Sequence, residues 1–129
     1  MSEKQIEALK AYIRLYEDEI RDYNRLNLSA IKTKRILDNC MSHARKVVNK
    51  TNEIYNGLVA AYSGQNTDPF RNTGLARANA TNMMRELRKQ LDIVDYDLKD
   101  IDRRLGGTIK RYNEAKSVLN NYNNMDSKE

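Results

Sequence analysis

"MRELRKQLDIVDYDLKDIDRRL", residues 84–105, decides the fold of this chain. Seven of its apolar residues, Met84, Leu87, Leu91, Val94, Leu98, Ile101 and Leu105, follow one another in alternating steps of three and four. One face of an α-helix repeats with that period, whereas a strand would alternate at every second residue. The pattern continues through Thr108, Tyr112, Ala115, Leu119 and Tyr122, so the spacing predicts a helix over about 75–124. Gly106-Gly107 is its soft spot, costing about 1 kcal/mol per glycine relative to alanine and inviting a kink.

A second run of the same kind precedes it. One set of positions reads Ile6, Ile13, Ile20, Asn27, Lys34, Met41, Val48, Tyr55, Tyr62; the other reads Leu9, Tyr16, Tyr23, Ala30, Leu37, Ala44, Thr51, Leu58. A helix over about 3–62 follows, on the order of 80–90 Å long at about 1.5 Å per residue. Its stripe thins at "NRLNLSA", residues 24–30. Between the runs lies "SGQNTDPFRNTG", residues 63–74, with the only Pro and the only Phe. Pro69 suits the first turn of a helix. A short connection between two amphipathic helices makes them antiparallel neighbours. Folding about Asp68 sets Ala30 against Gly106–Thr108. The expected fold is all-α: one domain, residues 1–129, forming a long, coiled-coil-like antiparallel two-helix hairpin.

Such a hairpin buries little apolar surface unaided. Helix 1 carries a further row beside its seam, at Tyr12, Leu26, Cys40, Val47, Ile54 and Ala61, interrupted by Glu19 and Thr33. Its apolar arc is wider than one neighbour needs, while helix 2 has no continuous counterpart. We therefore expect a partner on helix 1 that completes a bundle, with Leu26, Cys40, Val47 and Ile54 as its contacts.

Composition argues against several functions. A catalytic site needs converging polar groups in a concavity, and the chain has one His and one Cys, His43 and Cys40. The carboxylates Asp92, Asp95, Asp97, Asp100 and Asp102 fall on several helical faces, whereas a hard cation needs oxygens converging on one point. No glycine-rich phosphate loop is present, so a non-enzymatic protein without cofactor or metal is expected. No run approaches the roughly 20 apolar residues of a membrane span. The charged, amphipathic start is unlike a secretory signal peptide, which points to a soluble protein made in the cytoplasm.

The net charge is +5, concentrated in two stretches. Residues 25–50 hold Arg25, Lys32, Lys34, Arg35, Arg45, Lys46 and Lys50 against Asp38 alone, and residues 71–90 hold five basic residues against Glu86. A patch built on Lys32, Lys34, Arg35, Arg45, Lys46 and Lys50 could meet an acidic protein or phosphates. Residues 24–54 contain no Phe, Tyr or Trp to stack on bases, which disfavours nucleic acid. A sequence-independent nucleic-acid binder and a self-assembling coiled-coil scaffold are the alternatives to a protein-binding module.

The segment "YSGQNTDPF", residues 62–70, resembles the turn of the WXG-type helical hairpin proteins exported by type VII secretion systems. Tyr62 stands at the place of that family's Trp, with Gly64 and Phe70 at its spacing. Glycine frees the chain to leave helix 1, and the two aromatics cover the hairpin tip. The chain has no Trp, and its arms are longer than those of the small family members. Both departures bring it nearer the partner proteins of LXG toxins in type VIIb secretion. That resemblance implies an export partner or chaperone binding the helical N-terminal region of a larger secreted toxin. A second small hairpin protein or a second copy of the chain could complete the bundle, and the chain could leave the cell with its cargo. The family's export signal, a Tyr, three residues and an acidic residue at the end of helix 2, is matched by Tyr122 and Asp126. Tyr96 and Asp100 share the spacing in mid-helix, so position rather than spacing singles out the terminal copy.

Overall fold

The computed structural model describes residues 1–61 and 68–126, the last by its backbone. Two α-helices account for nearly all of them: α1, Glu3–Ala61, and α2, Asp68–Asp126. They pack against each other as an all-α hairpin. The helical assignment continues unbroken through the thinned stretch of α1 at 24–30 and through Gly106-Gly107 of α2.

Both helices begin on identifiable local chemistry. Ahead of α1, the Gln5 amide donates to Ser2 Oγ at 3.2 Å and the Ser2 amide donates to Gln5 Oε1 at 2.9 Å. This reciprocal capping box satisfies two amides that have no partner inside the helix. α2 starts at Asp68, earlier than the residue 75 expected from periodicity, and shortens the turn anticipated over 63–74. The reason is local. Pro69 has a φ already suited to the first helical turn and lacks the N–H that would go unpaired there. The Thr73 hydroxyl donates to the Pro69 carbonyl at 2.8 Å, and the half-buried Phe70 meets Tyr55 of α1 edge to face, ring centroids 5.8 Å apart.

The chain divides into two compact units, each an antiparallel pair of helix segments. Met1–Ile31 with Tyr96–Glu129 forms the first, and Lys32–Asp95 the second. In the first, Ile13, Thr108 and Ala115 are buried. In the second, the buried residues are Met41, Ala44 and Thr51 from α1 with Ala80, Leu91 and Val94 from α2. All of these lie on the seam positions read from the heptads, and Ala80 extends the α2 row one heptad toward its start. Side chains at three- and four-residue steps overlie one another on a helix, so a single stripe of each helix reaches the other.

Cross-helix bonds fix the alignment. In the first unit Thr108 Oγ1 donates to Glu19 Oε2 at 3.4 Å and Tyr112 Oη donates to Glu17 Oε1 at 3.3 Å. In the second, Lys34 Nζ lies 2.8 Å from Asp95 Oδ1. Thr108 thus sits across from Glu19 rather than Ala30. A reversal centred on Asp68 misjudged the register because Asp68 already belongs to α2.

Neither mid-helix glycine has positive φ, and a Cβ added to Gly106 would meet nothing within 4 Å. Gly106→Ala should therefore stabilise the chain by about 1 kcal/mol, the helix-propensity difference, with a raised urea midpoint and an unchanged m-value. A lowered midpoint would show that this position needs glycine's backbone freedom.

Candidate helix-docking surface

Beside the buried seam each helix has two flanks, and their chemistry differs. One flank of the hairpin is held by polar pairs, Glu17 with Tyr112 in the first unit and Lys34 with Asp95 in the second. The Asp95 carboxylate, by hydrogen bond and then by charge, holds the Lys34 ammonium above its ordinary range. The other flank begins on α1 with Tyr12 and repeats every seventh residue, as the spacing anticipated.

On that flank the second unit exposes Cys40, Val47 and Ile54, with both aliphatic residues 47% accessible. Met83 occupies the flanking position of α2 on this side and is 57% accessible. In the first unit Leu26 and Tyr12 are more than half exposed, at 53% and 56%, and Val118 is the aliphatic residue on the α2 flank. The residues expected to bind a partner are thus exposed, and no contact within their own unit covers them. Their heptad spacing suits knobs-into-holes packing against one further helix.

The surface extends beyond the heptad row. Leu15 and Ile36 are also exposed, three residues after Tyr12 and four before Cys40, and each widens the apolar row by one helical turn. Tyr12 stacks on Tyr16 with centroids 6.3 Å apart, and Ala8, Ala11, Tyr12 and Leu15 line a shallow hollow of about 260 Å³. The three- and four-residue steps to the row carried that signal. Met83 had none, because α2 shows no continuous flank. Glu19 also acts differently from a plain interruption, since it is half-buried and accepts the Thr108 hydroxyl of the same hairpin.

The basic residues do not form one patch. Lys34 sits at the seam and is paired with Asp95. Lys32, Arg35, Lys46 and Lys50 lie on the outer face, away from α2, and Arg45 lies on the polar flank. Heptad phase explains the spread: residues close in sequence point in different directions around a helix. Of the turn motif, Tyr62 and Gly64 lie outside the described residues, while Phe70 packs on Tyr55. Tyr122 is half-buried on the α2 seam, and Asp126 closes that helix with its side chain outside the described residues. His43 and Cys40 are both exposed. Among the described residues, no three His, Cys, Asp or Glu side chains stand together as a metal site would require. No helix among them is long and apolar enough to cross a membrane.

Compared with known proteins, the chain matches no family model, no curated protein and no solved structure.

One charged group on α2 has a defined pH signature. Arg103 Nη2 donates to Asp100 Oδ1 at 2.8 Å and Arg104 Nε donates to Oδ2 at 2.9 Å. The Arg103 bond, followed by the Arg104 charge and bond, holds the Asp100 carboxyl below its usual range against the opposing effect of partial burial. A lowered carboxyl pKa stabilises the fold above the unfolded-state value, about 3.9, and that stabilisation disappears as pH falls through the lowered value. Asp100→Asn should therefore be less stable than the parent chain at pH 7, and the difference should close as the pH falls through the lowered value. Urea melts across this range check it, and equal stability at pH 7 would contradict the assignment.

Proposed function

We propose that this chain is a non-enzymatic helix-binding protein that completes a bundle with the helical N-terminal region of a larger secreted protein of the LXG-toxin class. In this reading it serves as that toxin's export partner in type VII secretion. The single observation that carries the reading is the exposed apolar row Leu26, Cys40, Val47 and Ile54 at heptad spacing. The likeness of Tyr62, Gly64 and Phe70 to the WXG-type turn adds the class of partner.

Magnitudes favour a long contact over a point contact. Covering one half-exposed Leu, Ile or Val gains roughly 1 kcal/mol, about half the value for complete burial. Association itself costs several times that amount. An extended helix engaging the row over many turns meets this requirement, and a short peptide does not. The salt-insensitive apolar contact also favours a protein partner over nucleic acid, whose binding to scattered Lys and Arg would weaken steeply with salt.

Val47→Glu/Ile54→Glu places two charges in the row without touching the buried seam. The variant should keep its helicity by circular dichroism and lose at least tenfold in affinity for a recombinant LXG N-terminal region, in high salt as in low. Unchanged affinity would remove the row from the interface. Loss of all binding in high salt, with nucleic acid retained at low salt, would favour the nucleic-acid reading, and a stable homo-oligomer with no affinity for the toxin region would favour the scaffold.

The proposal also assigns Tyr122 and Asp126 as the export signal. Because Tyr122 belongs to the seam, Asp126→Ala is the cleaner probe. It should reduce secretion of the complex severalfold in the producing cells while leaving complex formation intact, and full secretion would exclude the assignment.

A further inference from the structure

In the first unit, Tyr23 of α1 and Arg103, Arg104, Gly107 and Arg111 of α2 line a cleft of about 340 Å³. Three guanidinium groups around one hollow repel one another only weakly here, because all are exposed and screened by solvent, and a nearby anion offsets that repulsion. The fold supplies one such balance: Asp100 takes a hydrogen bond from both Arg103 and Arg104. Tyr23 of α1 lines the cleft beside Arg104 of α2. Arg111 is steadied separately, donating from Nη2 to Thr108 Oγ1 at 3.3 Å and lying 6.0 Å from the centre of the Tyr16 ring. Thr108 is 1% exposed, so Arg111 is tethered to a fixed point. The one acidic group beyond Asp100 in this network, Glu19, takes the Thr108 hydroxyl and does not line the cleft.

These contacts engage one N–H of Arg103 with Asp100, one of Arg104 with Asp100, and one of Arg111 with Thr108. A guanidinium carries five N–H donors, so each retains donors for a ligand while its position is set by the protein. Asp100 and Glu19 offset two of the three arginines, so the network keeps a surplus of one positive charge.

Gly107 lines the cleft without a side chain. Packing does not require a glycine here: its φ is not positive, and an added Cβ would meet only Arg111 Nη1, at an ordinary 3.8 Å. What the missing side chain does is leave the cleft floor bare, so that a ligand can approach the helix closely between the arginines.

We propose that the cleft over Gly107 binds a small phosphate-class dianion, free phosphate or a phosphomonoester, held by Arg103, Arg104 and Arg111 with Tyr23 at its edge. Three guanidinium groups suit the three or more oxygens of a phosphate better than the two of a single carboxylate. Guanidinium forks pair with phosphate oxygens through two parallel bonds, which an ammonium cannot reproduce.

The test uses the full isotope-labelled chain titrated with inorganic phosphate at constant ionic strength, followed by amide and arginine Nε–H resonances. Saturable, single-site shifts are expected at Gly106, Gly107 and the three arginines, with chloride producing none. Gly107→Leu fills the cleft and retains every charge, and it should weaken binding at least tenfold. Arg104→Lys/Arg111→Lys keeps the charge but loses the forks and should do the same, which decides the matter if the leucine variant fails to fold. Lys32→Ala/Lys46→Ala removes as much positive charge from the outer face elsewhere and should bind as the parent does. Non-saturating shifts, an equal loss in the Lys32/Lys46 variant, or parent-like affinity in the Arg104/Arg111 variant would overturn the site. Phenyl phosphate and vesicles containing phosphatidic acid separate the sources. Binding of the soluble ester at least as tight as that of inorganic phosphate supports a small-molecule ligand, and binding confined to the vesicles overturns it.

Discussion

Two helices in contact can hide only one stripe of each other, and the rest of this structure depends on that limit. The seam that runs through Ile13, Met41, Ala44 and Thr51 on α1 and through Leu91, Val94, Thr108 and Ala115 on α2 takes up what a pair can bury. It is a narrow core of medium and small side chains, and a heptad pattern makes it continuous within each unit. Any apolar residue one step outside the seam stays in solvent unless a third helix arrives. Val47, Ile54 and Leu26 stand in that position.

A repeating apolar seam holds helices together but aligns them weakly, because a slip of seven residues presents a similar stripe. Polar pairs remove the degeneracy here. A displaced Thr108 would leave a buried hydroxyl short of Glu19, and a displaced Lys34 would lose Asp95 and press its charge against apolar neighbours. Each pair is modest in strength at these exposures. Their value lies in making the alternatives worse, as single polar residues do at coiled-coil seams. Register is then set by a few polar atoms, and stability by the apolar stripe.

The same asymmetry divides surface from interior. Glu17–Tyr112 in the first unit and Lys34–Asp95 in the second are pairs met within the chain. Two chemistries are left unmet: an apolar row, which in the second unit exposes Val47 and Ile54 and asks for a helix, and, in the first unit, an arginine-lined cleft over Gly107, which asks for an anion. They need not serve the same ligand. The first is extended and non-directional, suited to area; the second is compact and directional, suited to a few charged hydrogen bonds.

Much of this was legible in the residues. Helical period follows from local backbone geometry, so the spacing of Leu91, Val94, Leu98 and Ile101 determined the helix and its buried face, and the seventh-residue spacing of Cys40, Val47 and Ile54 determined an exposed row. What crosses from one helix to the other was not legible. The placing of Thr108 against Glu19, the pairing of Lys34 with Asp95 and the meeting of Tyr23 with Arg104 all depend on register. Register is a sum of small contacts between residues far apart in the chain, and no local pattern contains it. Residue spacing alone settles which faces are apolar, whereas packing settles which side chains face one another, because a periodic stripe fixes direction around a helix but not position along its neighbour.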